Sequence, residues 1–142
     1  MAVRTAQAVW QGTLREGNGQ VKLGSGAFEG GYSFSSRFED APQTNPEELI
    51  GAAHAGCFSM ALGAALERAG HPAERIQTEA RVHLTKGESG NAISQIDLIT
   101  EGIVPGIDPE QFAEFAENAK NTCIVSRALK AVPITLEAKL VG

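Results

Sequence analysis

Alternating apolar and polar positions predict strands in the first third of the chain. Between residues 6 and 14, Ala, Trp and Leu alternate with Thr and Gln, a period of two that is typical of a half-buried strand. A turn rich in Gly and Asn at 15–19 leads into a short strand at 20–23, because these residues accept positive φ. A glycine-containing loop at 24–31 then precedes a third predicted strand at 32–38.

A long segment of small and apolar residues predicts one helix over residues 46–69. Asn45 is a good N-cap, Pro46 suits the first helical position, and Glu48 stands where a capping box places a carboxylate. Gly70 can take the left-handed conformation that ends a helix. Both ends of this helix are therefore marked in the sequence.

The second half of the chain alternates strands and helices. The predicted elements are, in order, a strand at 76–84, a turn at 86–91, a strand at 96–104, a capped helix at 109–121, a short helix at 124–130 and a strand at 132–140. The whole order, βββαββααβ, predicts an α+β fold in a single domain over residues 1–142.

Charge and composition exclude several classes of partner. The net charge of −5 makes nucleic acid and anionic membranes poor partners. Residues 49–66 carry no charge, but this one segment is rich in Ala and Gly, so we expect a buried central helix and not a membrane span. The first residues form no apolar secretion segment, and we expect a cytoplasmic protein.

Cys57 lies in the middle of the predicted long helix, and it is one of only two cysteines in the chain. A free thiol has a pKa of about 8.5, and burial raises it further. The helix dipole does not help, because its effect fades within about one turn and Cys57 lies about three turns from the N-terminus. A reactive Cys57 therefore needs a cation. Arginine suits this role, but spacing does not choose among the seven arginines.

His54 and Cys57 are three residues apart and share a helix face. They could form a Cys/His nucleophile pair, or His54 could bond to a neighbouring segment. We favour the second, because no orienting Asn or Asp is identifiable. Two ligands are too few for a structural zinc site, so no metal is expected.

Cys123 lies near the start of the predicted short helix, where free backbone N–H groups can lower a thiol pKa. By local physics alone, Cys123 is the better-placed thiolate. Cys123 and Ser126 also have the spacing of a CxxS redox motif, although the match is weak outside a βαβ unit. The alternative is a cysteine that only packs at a helix junction.

Glu47 and Glu48 both offset the helix dipole in the first turn, and for Glu48 this role is sufficient. Glu47 precedes Cys57 by ten residues, which is about 15 Å of rise and about −80° of rotation in a helix. Glu47 therefore cannot act at Cys57 of its own chain. If it acts at a thiol site, a dimer is the natural way to bring it there.

Four motifs in these segments resemble the OsmC/Ohr family of peroxide-defence proteins, and more closely its OsmC branch. They are SRFE at 36–39, TNPEELIGAAHAGCFSMAL at 44–62, VPGID at 104–108 and CIVS at 123–126. The resemblance implies an intertwined homodimer in which two antiparallel sheet segments surround the long helix. It also implies active sites at the subunit interface that reduce organic hydroperoxides.

The resemblance also implies roles for four residues. Cys57 would be the peroxidatic cysteine, Cys123 the resolving cysteine, Arg37 the activating cation and Glu47 the residue that holds its guanidinium. The cycle would pass through a Cys57 sulfenic acid and a Cys57–Cys123 disulfide. An external thiol, in the family often a dihydrolipoyl group, would reduce that disulfide, with no metal or other cofactor.

The chain departs from the family pattern at two positions. Gly56 stands where Ala is common, and Ile124 follows Cys123 where Pro is common. Two other functions stay open on the residues alone. One is a redox-sensing or small-ligand-binding dimer without turnover, and the other is a hydrolase built on Cys57 and His54.

Overall fold

A computed structural model describes residues 2–142 of the chain. Its elements are β1 (Ala6–Gln11), β2 (Asn18–Leu23), β3 (Glu29–Tyr32), α1 (Phe34–Phe38), α2 (Pro46–Arg68), β4 (Arg75–Gly87), β5 (Gly90–Ile103), α3 (Pro109–Thr122), α4 (Ile124–Ala128) and β6 (Ile134–Leu140). They form two compact units, the first ending at Leu49 and the second beginning at Ile50. The α+β class is confirmed, and one domain over residues 1–142 stays a prediction.

The first unit contains an antiparallel sheet in the order β1-β2-β3. The predicted strand at 32–38 is wrong, because β3 ends at Tyr32 and a short helix, α1, follows. The cause is a capping box. Ser33 Oγ accepts a hydrogen bond from the Ser36 amide at 3.1 Å, and Ser36 Oγ accepts one from the Ser33 amide at 2.9 Å.

Helix α2 begins and ends close to the predicted positions. The Asn45 side chain accepts a hydrogen bond from the Glu48 amide at 2.7 Å, which confirms the N-cap. The Glu48 carboxylate accepts from the Thr44 hydroxyl at 3.0 Å and not from the cap amide. Gly70 follows the helix with a φ of 87°, as a helix-ending glycine requires.

Within a single chain, α2 buries only one of its faces. Phe58, Leu62 and Leu66 are fully buried, whereas Met60 is 78% exposed. Only 28% of the most apolar 18-residue window is buried, so the prediction of a buried helix holds for one face. By length and composition alone α2 could cross a membrane, a test that core helices of soluble proteins also pass.

The second unit contains a three-stranded sheet in the order β4-β5-β6. Strands β4 and β5 form an antiparallel hairpin, whose turn is shorter than predicted because the strands extend to Gly87 and Gly90. The expectation of purely antiparallel sheets is wrong here, since β5 and β6 pair in parallel. Helices α3 and α4 lie between these strands in the chain and form the crossover that a parallel pair needs.

The core of the second unit packs α2 and α3 against this sheet. Its fully or almost fully buried members are Phe58, Leu62, Leu66, Ile96, Leu98, Val104, Phe112, Ala116, Ala119 and Cys123. Gly102 allows this packing, because a Cβ there would lie 2.6 Å from a ring carbon of Phe112. Cys123 is therefore part of the core, which holds the α3–α4 junction close to α2.

A two-cysteine candidate active site

The structure brings Cys57 and Cys123 together from positions far apart in the sequence. Cys57 is partly exposed on α2, whereas Cys123 is buried at the junction where α3 ends and α4 begins. Both are free thiols, and each lies close enough to the other to shift its pKa. The Cys123 amide is held by the Ala119 carbonyl at 2.9 Å. The two thiols are therefore neighbours in the fold.

Backbone amides of α4 point at both sulfur atoms. The Val125 amide donates to Cys57 Sγ at 3.5 Å, and the Ser126 amide donates to Cys123 Sγ at 3.5 Å. The first amides of a helix have no partner within the helix, which leaves them free for this contact. Cys123 is the N-cap of α4. The first turn of α4 thus donates one N–H group to each thiol.

The two thiols differ in pKa within a single chain. Burial raises the pKa of Cys57, and its interaction with the neighbouring Cys123 thiol raises this pKa further. Burial also acts to raise the pKa of Cys123, but the neighbouring Cys57 thiol and the Ser126 amide outweigh it, so this pKa is lowered. This agrees with the prediction that Cys123 is locally the better-placed thiolate. Cys57 still needs a cation.

His54 lies one turn before Cys57 and is completely buried. Its Nε2 is 2.7 Å from Ser126 Oγ on α4, and its Nδ1 has no hydrogen-bond partner among the described residues. Burial lowers the pKa of His54. The Cys/His nucleophile pair is therefore not formed. His54 bonds to a neighbouring segment, as predicted from the sequence. No metal-binding group of three or more His, Cys, Asp or Glu side chains occurs in residues 2–142.

Ser126 is a residue of the site to which the sequence analysis assigned no role. It is only 4% exposed, and it contacts both His54 and Cys123. The CxxS spacing was the sequence signal that could have identified this residue. That spacing places Ser126 at the third position of α4, where an amide reaches back to the N-cap side chain.

Arg37 and Glu47 form an ion pair in the first unit. Arg37 Nε donates to Glu47 Oε1 at 3.0 Å, and Nη2 donates to Oε2 at 2.9 Å. The Glu47 side chain is 9% exposed, whereas the Arg37 side chain is 41% exposed. The pair exists because α1 replaces the expected strand and carries Arg37 near its end. One end of the guanidinium is fixed, and the rest remains open to solvent.

The four predicted site residues thus form two groups. Arg37 and Glu47 meet in the first unit, and Cys57 and Cys123 meet in the second. The residues of the first group are ten positions apart in the sequence and those of the second are 66 apart. The roles that the resemblance implies for them stay predictions.

Comparisons with known proteins identify the family. The profile of the OsmC-like protein family matches residues 39–137. Peroxiredoxin OsmC of Escherichia coli is 47% identical over 138 residues, which is 96% of each chain. Peroxiredoxin OsmC of Shigella flexneri matches to the same extent.

Solved structures have the same fold. The organic hydroperoxide resistance protein OhrB of Bacillus subtilis matches with a TM-score of 0.75 and 25% identity, over 95% of this chain and 98% of that one. An OsmC-like protein from Mycoplasma pneumoniae, 14% identical, matches with a TM-score of 0.77 over 99% of each chain. The chain belongs to the OsmC-like protein family.

Proposed function

We propose that this protein is a thiol peroxidase that reduces organic hydroperoxides to alcohols. The observation that carries the proposal is the position of both thiols at the first turn of α4 in a member of this family. There the Val125 amide donates to Cys57 Sγ and the Ser126 amide donates to Cys123 Sγ, each at 3.5 Å. The 47% identity to a peroxiredoxin supports the peroxidase activity, and the likeness to OhrB supports an organic hydroperoxide as the substrate. No metal or organic cofactor takes part.

The first step oxidises Cys57. Its thiolate attacks the terminal oxygen of the hydroperoxide, the O–O bond breaks, and the departing alkoxide takes a proton to become an alcohol. Cys57 is left as a sulfenic acid. Because the pKa of Cys57 is raised within its own chain, this step needs a cation, and Arg37 supplies it. An opposite charge within a few ångströms lowers a pKa by about 1–3 units.

The second step forms a disulfide. Cys123 attacks the sulfenic sulfur of Cys57, and water leaves. A disulfide requires the two Cα atoms to come within about 4.4–6.8 Å, and the contact between the two thiols favours that approach. An external thiol then reduces the disulfide, and a dihydrolipoyl group is our candidate for it. Such a cycle suits the reducing cytoplasm, where we place the protein.

The active protein is a homodimer in this proposal. Met60 leaves apolar surface exposed on α2, and such surface favours association. Glu47 lies ten residues before Cys57 on one continuous helix, so it cannot act at its own Cys57. We infer that the Arg37–Glu47 pair of one chain serves Cys57 of the partner subunit.

Peroxide turnover tests the proposal. The wild type should consume cumene hydroperoxide catalytically with dithiothreitol or dihydrolipoamide, and Cys57→Ser should abolish turnover. After one equivalent of peroxide, intact mass should show a loss of two hydrogens in the wild type and a sulfenic or overoxidised adduct in Cys123→Ser. Oxidation confined to Cys123 would reverse the roles of the two cysteines.

The same measurements separate the peroxidase from a redox-sensing protein. A sensor would form the disulfide once, and no added thiol would produce sustained peroxide consumption. A wild type without turnover under any of these reductants would therefore reject the enzyme. An esterase activity lost in His54→Ala would favour a hydrolase instead, although His54 is bonded to Ser126.

A further inference from the structure

His54 and Ser126 connect the two helices that carry the thiol site. His54 is completely buried on α2, and Ser126 is 4% exposed on α4. Their side chains meet at 2.7 Å through His54 Nε2 and Ser126 Oγ. The peroxidase cycle described above uses neither side chain, yet both lie within three residues of a reactive cysteine. A buried polar pair in this place requires an explanation.

The surroundings of the imidazole decide which nitrogen carries the proton. His54 Nδ1 is buried and has no partner among the described residues. A proton on Nδ1 would leave a buried N–H donor unpaired, which is rare in proteins, whereas a proton on Nε2 leaves only a lone pair unpaired. The neutral imidazole therefore carries its proton on Nε2 and donates it to Ser126 Oγ.

This tautomer gives the hydrogen bonds one direction. Because Ser126 Oγ accepts from His54, its own hydroxyl hydrogen is free to be donated elsewhere. The backbone amide of the same residue donates to Cys123 Sγ at 3.5 Å, so this sulfur is the acceptor that we infer for the hydroxyl. The Ser126 hydroxyl also lowers the pKa of Cys123. With the opposite tautomer, Ser126 would donate its hydroxyl hydrogen to His54, and this hydrogen would not be available to Cys123 Sγ.

We propose that His54 and Ser126 are positioning residues for the disulfide-forming step. His54 directs the Ser126 hydroxyl at Cys123 Sγ and fixes the first turn of α4, so that Cys123 is kept as a ready nucleophile. The inference deepens the proposed function and rests on it. Neither residue touches the hydroperoxide in this scheme, and both act through Cys123.

The assisted step balances without a further reactant. The Cys123 thiolate attacks Sγ of the Cys57 sulfenic acid, the S–S bond forms, and the S–O bond breaks. The leaving hydroxide takes up the proton that Cys123 has released, and water results. Cys123 is oxidised and the sulfenic sulfur is reduced. The oxidising equivalents come from the hydroperoxide, which oxidised Cys57 in the preceding step.

Two measurements test this role, and the first needs no peroxidase activity. In a Cys57→Ser background, the ultraviolet absorbance of the thiolate gives the pKa of Cys123. Ser126→Ala should raise that pKa by about one unit, because a donor to a charged sulfur is lost. Ser126→Thr keeps the hydroxyl and should restore the wild-type pKa of Cys123. Ser59→Ala, which removes an α2 hydroxyl bonded to Thr78 at 2.7 Å, is the matched control and should leave the pKa unchanged.

The second measurement separates the two chemical steps in the protein with both cysteines. In a single turnover with cumene hydroperoxide, Ser126→Ala should slow disulfide formation about tenfold, the rate equivalent of one pKa unit. Oxidation of Cys57 should stay within about twofold of the wild type. His54→Leu should act like Ser126→Ala. His54→Gln, which retains a donor near the Nε2 position, should recover part of the rate.

The outcomes distinguish this inference from the proposed function. If the wild type forms no disulfide with the hydroperoxide, the proposed function fails, and the Cys123 titration still decides the positioning role. If the wild type cycles but Ser126→Ala changes neither the Cys123 pKa nor the disulfide rate, the positioning role is wrong. Equal slowing of both steps would indicate a merely structural contact and would also contradict it.

Discussion

Arg37 and Glu47 face each other through two hydrogen bonds, at 3.0 Å and 2.9 Å. This geometry fixes the plane of the guanidinium, which a single bond would not do. Two of the five N–H donors of arginine are used, so three remain for other partners. The Glu47 side chain is 9% exposed, and the pair is thus anchored at its acidic end.

We predict that this fixed plane, and not only the positive charge, activates Cys57. Arg37→Ala should slow Cys57 oxidation by about 10–1,000-fold near neutral pH, because loss of a nearby cation raises a thiol pKa by about 1–3 units. Arg37→Lys should recover only part of this rate, since an ammonium cannot make the paired contact. Glu47→Gln should also slow oxidation while it leaves the charge of Arg37 in place.

Stopped-flow oxidation by cumene hydroperoxide measures these rates. Glu48→Gln is the matched control, because Glu48 bonds to the Thr44 hydroxyl and not to Arg37. If Arg37→Lys matches the wild type, the fixed geometry has no role in activation.

The exposed apolar side of α2 predicts a defined effect on assembly. Met60 is 78% exposed in a single chain. Met60→Glu should weaken the dimer, because it places a charge in an apolar contact. Light scattering coupled to gel filtration measures the mass as protein concentration falls. Thr85→Glu, an exposed position of β4, adds the same charge and should leave assembly unchanged. If both variants form equally stable dimers, the Met60 side of α2 does not lie in the interface.

Buried His54 predicts a pH dependence of stability. Its pKa is lowered by burial, so the unfolded chain binds a proton more readily than the folded chain. The free energy of unfolding should therefore fall as pH drops below about 6.5, the ordinary histidine pKa. Protonation would add an N–H group at Nδ1, which has no partner within residues 2–142. His54→Gln does not titrate and should show a shallower decline between about pH 7 and pH 5.

Urea unfolding at several pH values measures this difference between variant and wild type. The subtraction removes the contributions of every group that the two proteins share. Parallel profiles for His54→Gln and the wild type would exclude His54 as the titrating group.

Gly56 predicts a simple gain in stability. Beyond its chain neighbours and the backbone of its own helix, a Cβ at this position would meet no atom of residues 2–142 within 4 Å, so Ala fits within a single chain. Gly56→Ala should raise the free energy of unfolding by about 1 kcal/mol, the difference in helix propensity. At Gly51 a Cβ would lie 3.3 Å from Val82 Cγ2, and Gly51→Ala should therefore gain less. Urea unfolding of the two variants compares them, and a loss of stability in Gly56→Ala would refute the prediction.

Sequence patterns located most elements but failed where two local signals competed. Apolar alternation at 32–38 predicted a strand, whereas the Ser33–Ser36 capping box forms a helix there. This error mattered for function, because the helix carries Arg37 to Glu47. The alternation of apolar and polar residues also could not predict whether neighbouring strands are parallel or antiparallel. Alternation is the same in parallel and antiparallel strands, so the parallel pairing of β5 and β6 depends on the crossover helices.

The sequence by itself determined where α2 begins and ends, since Asn45, Pro46 and Gly70 act within one turn of their own positions. It also determined that Cys57 could not be activated by its own helix, because that conclusion needs only helix geometry. Only the tertiary structure decided which groups surround the two sulfur atoms. Amides of α4 and the hydroxyl of Ser126 reach thiols and an imidazole that lie up to 72 residues away, and local patterns do not encode such contacts.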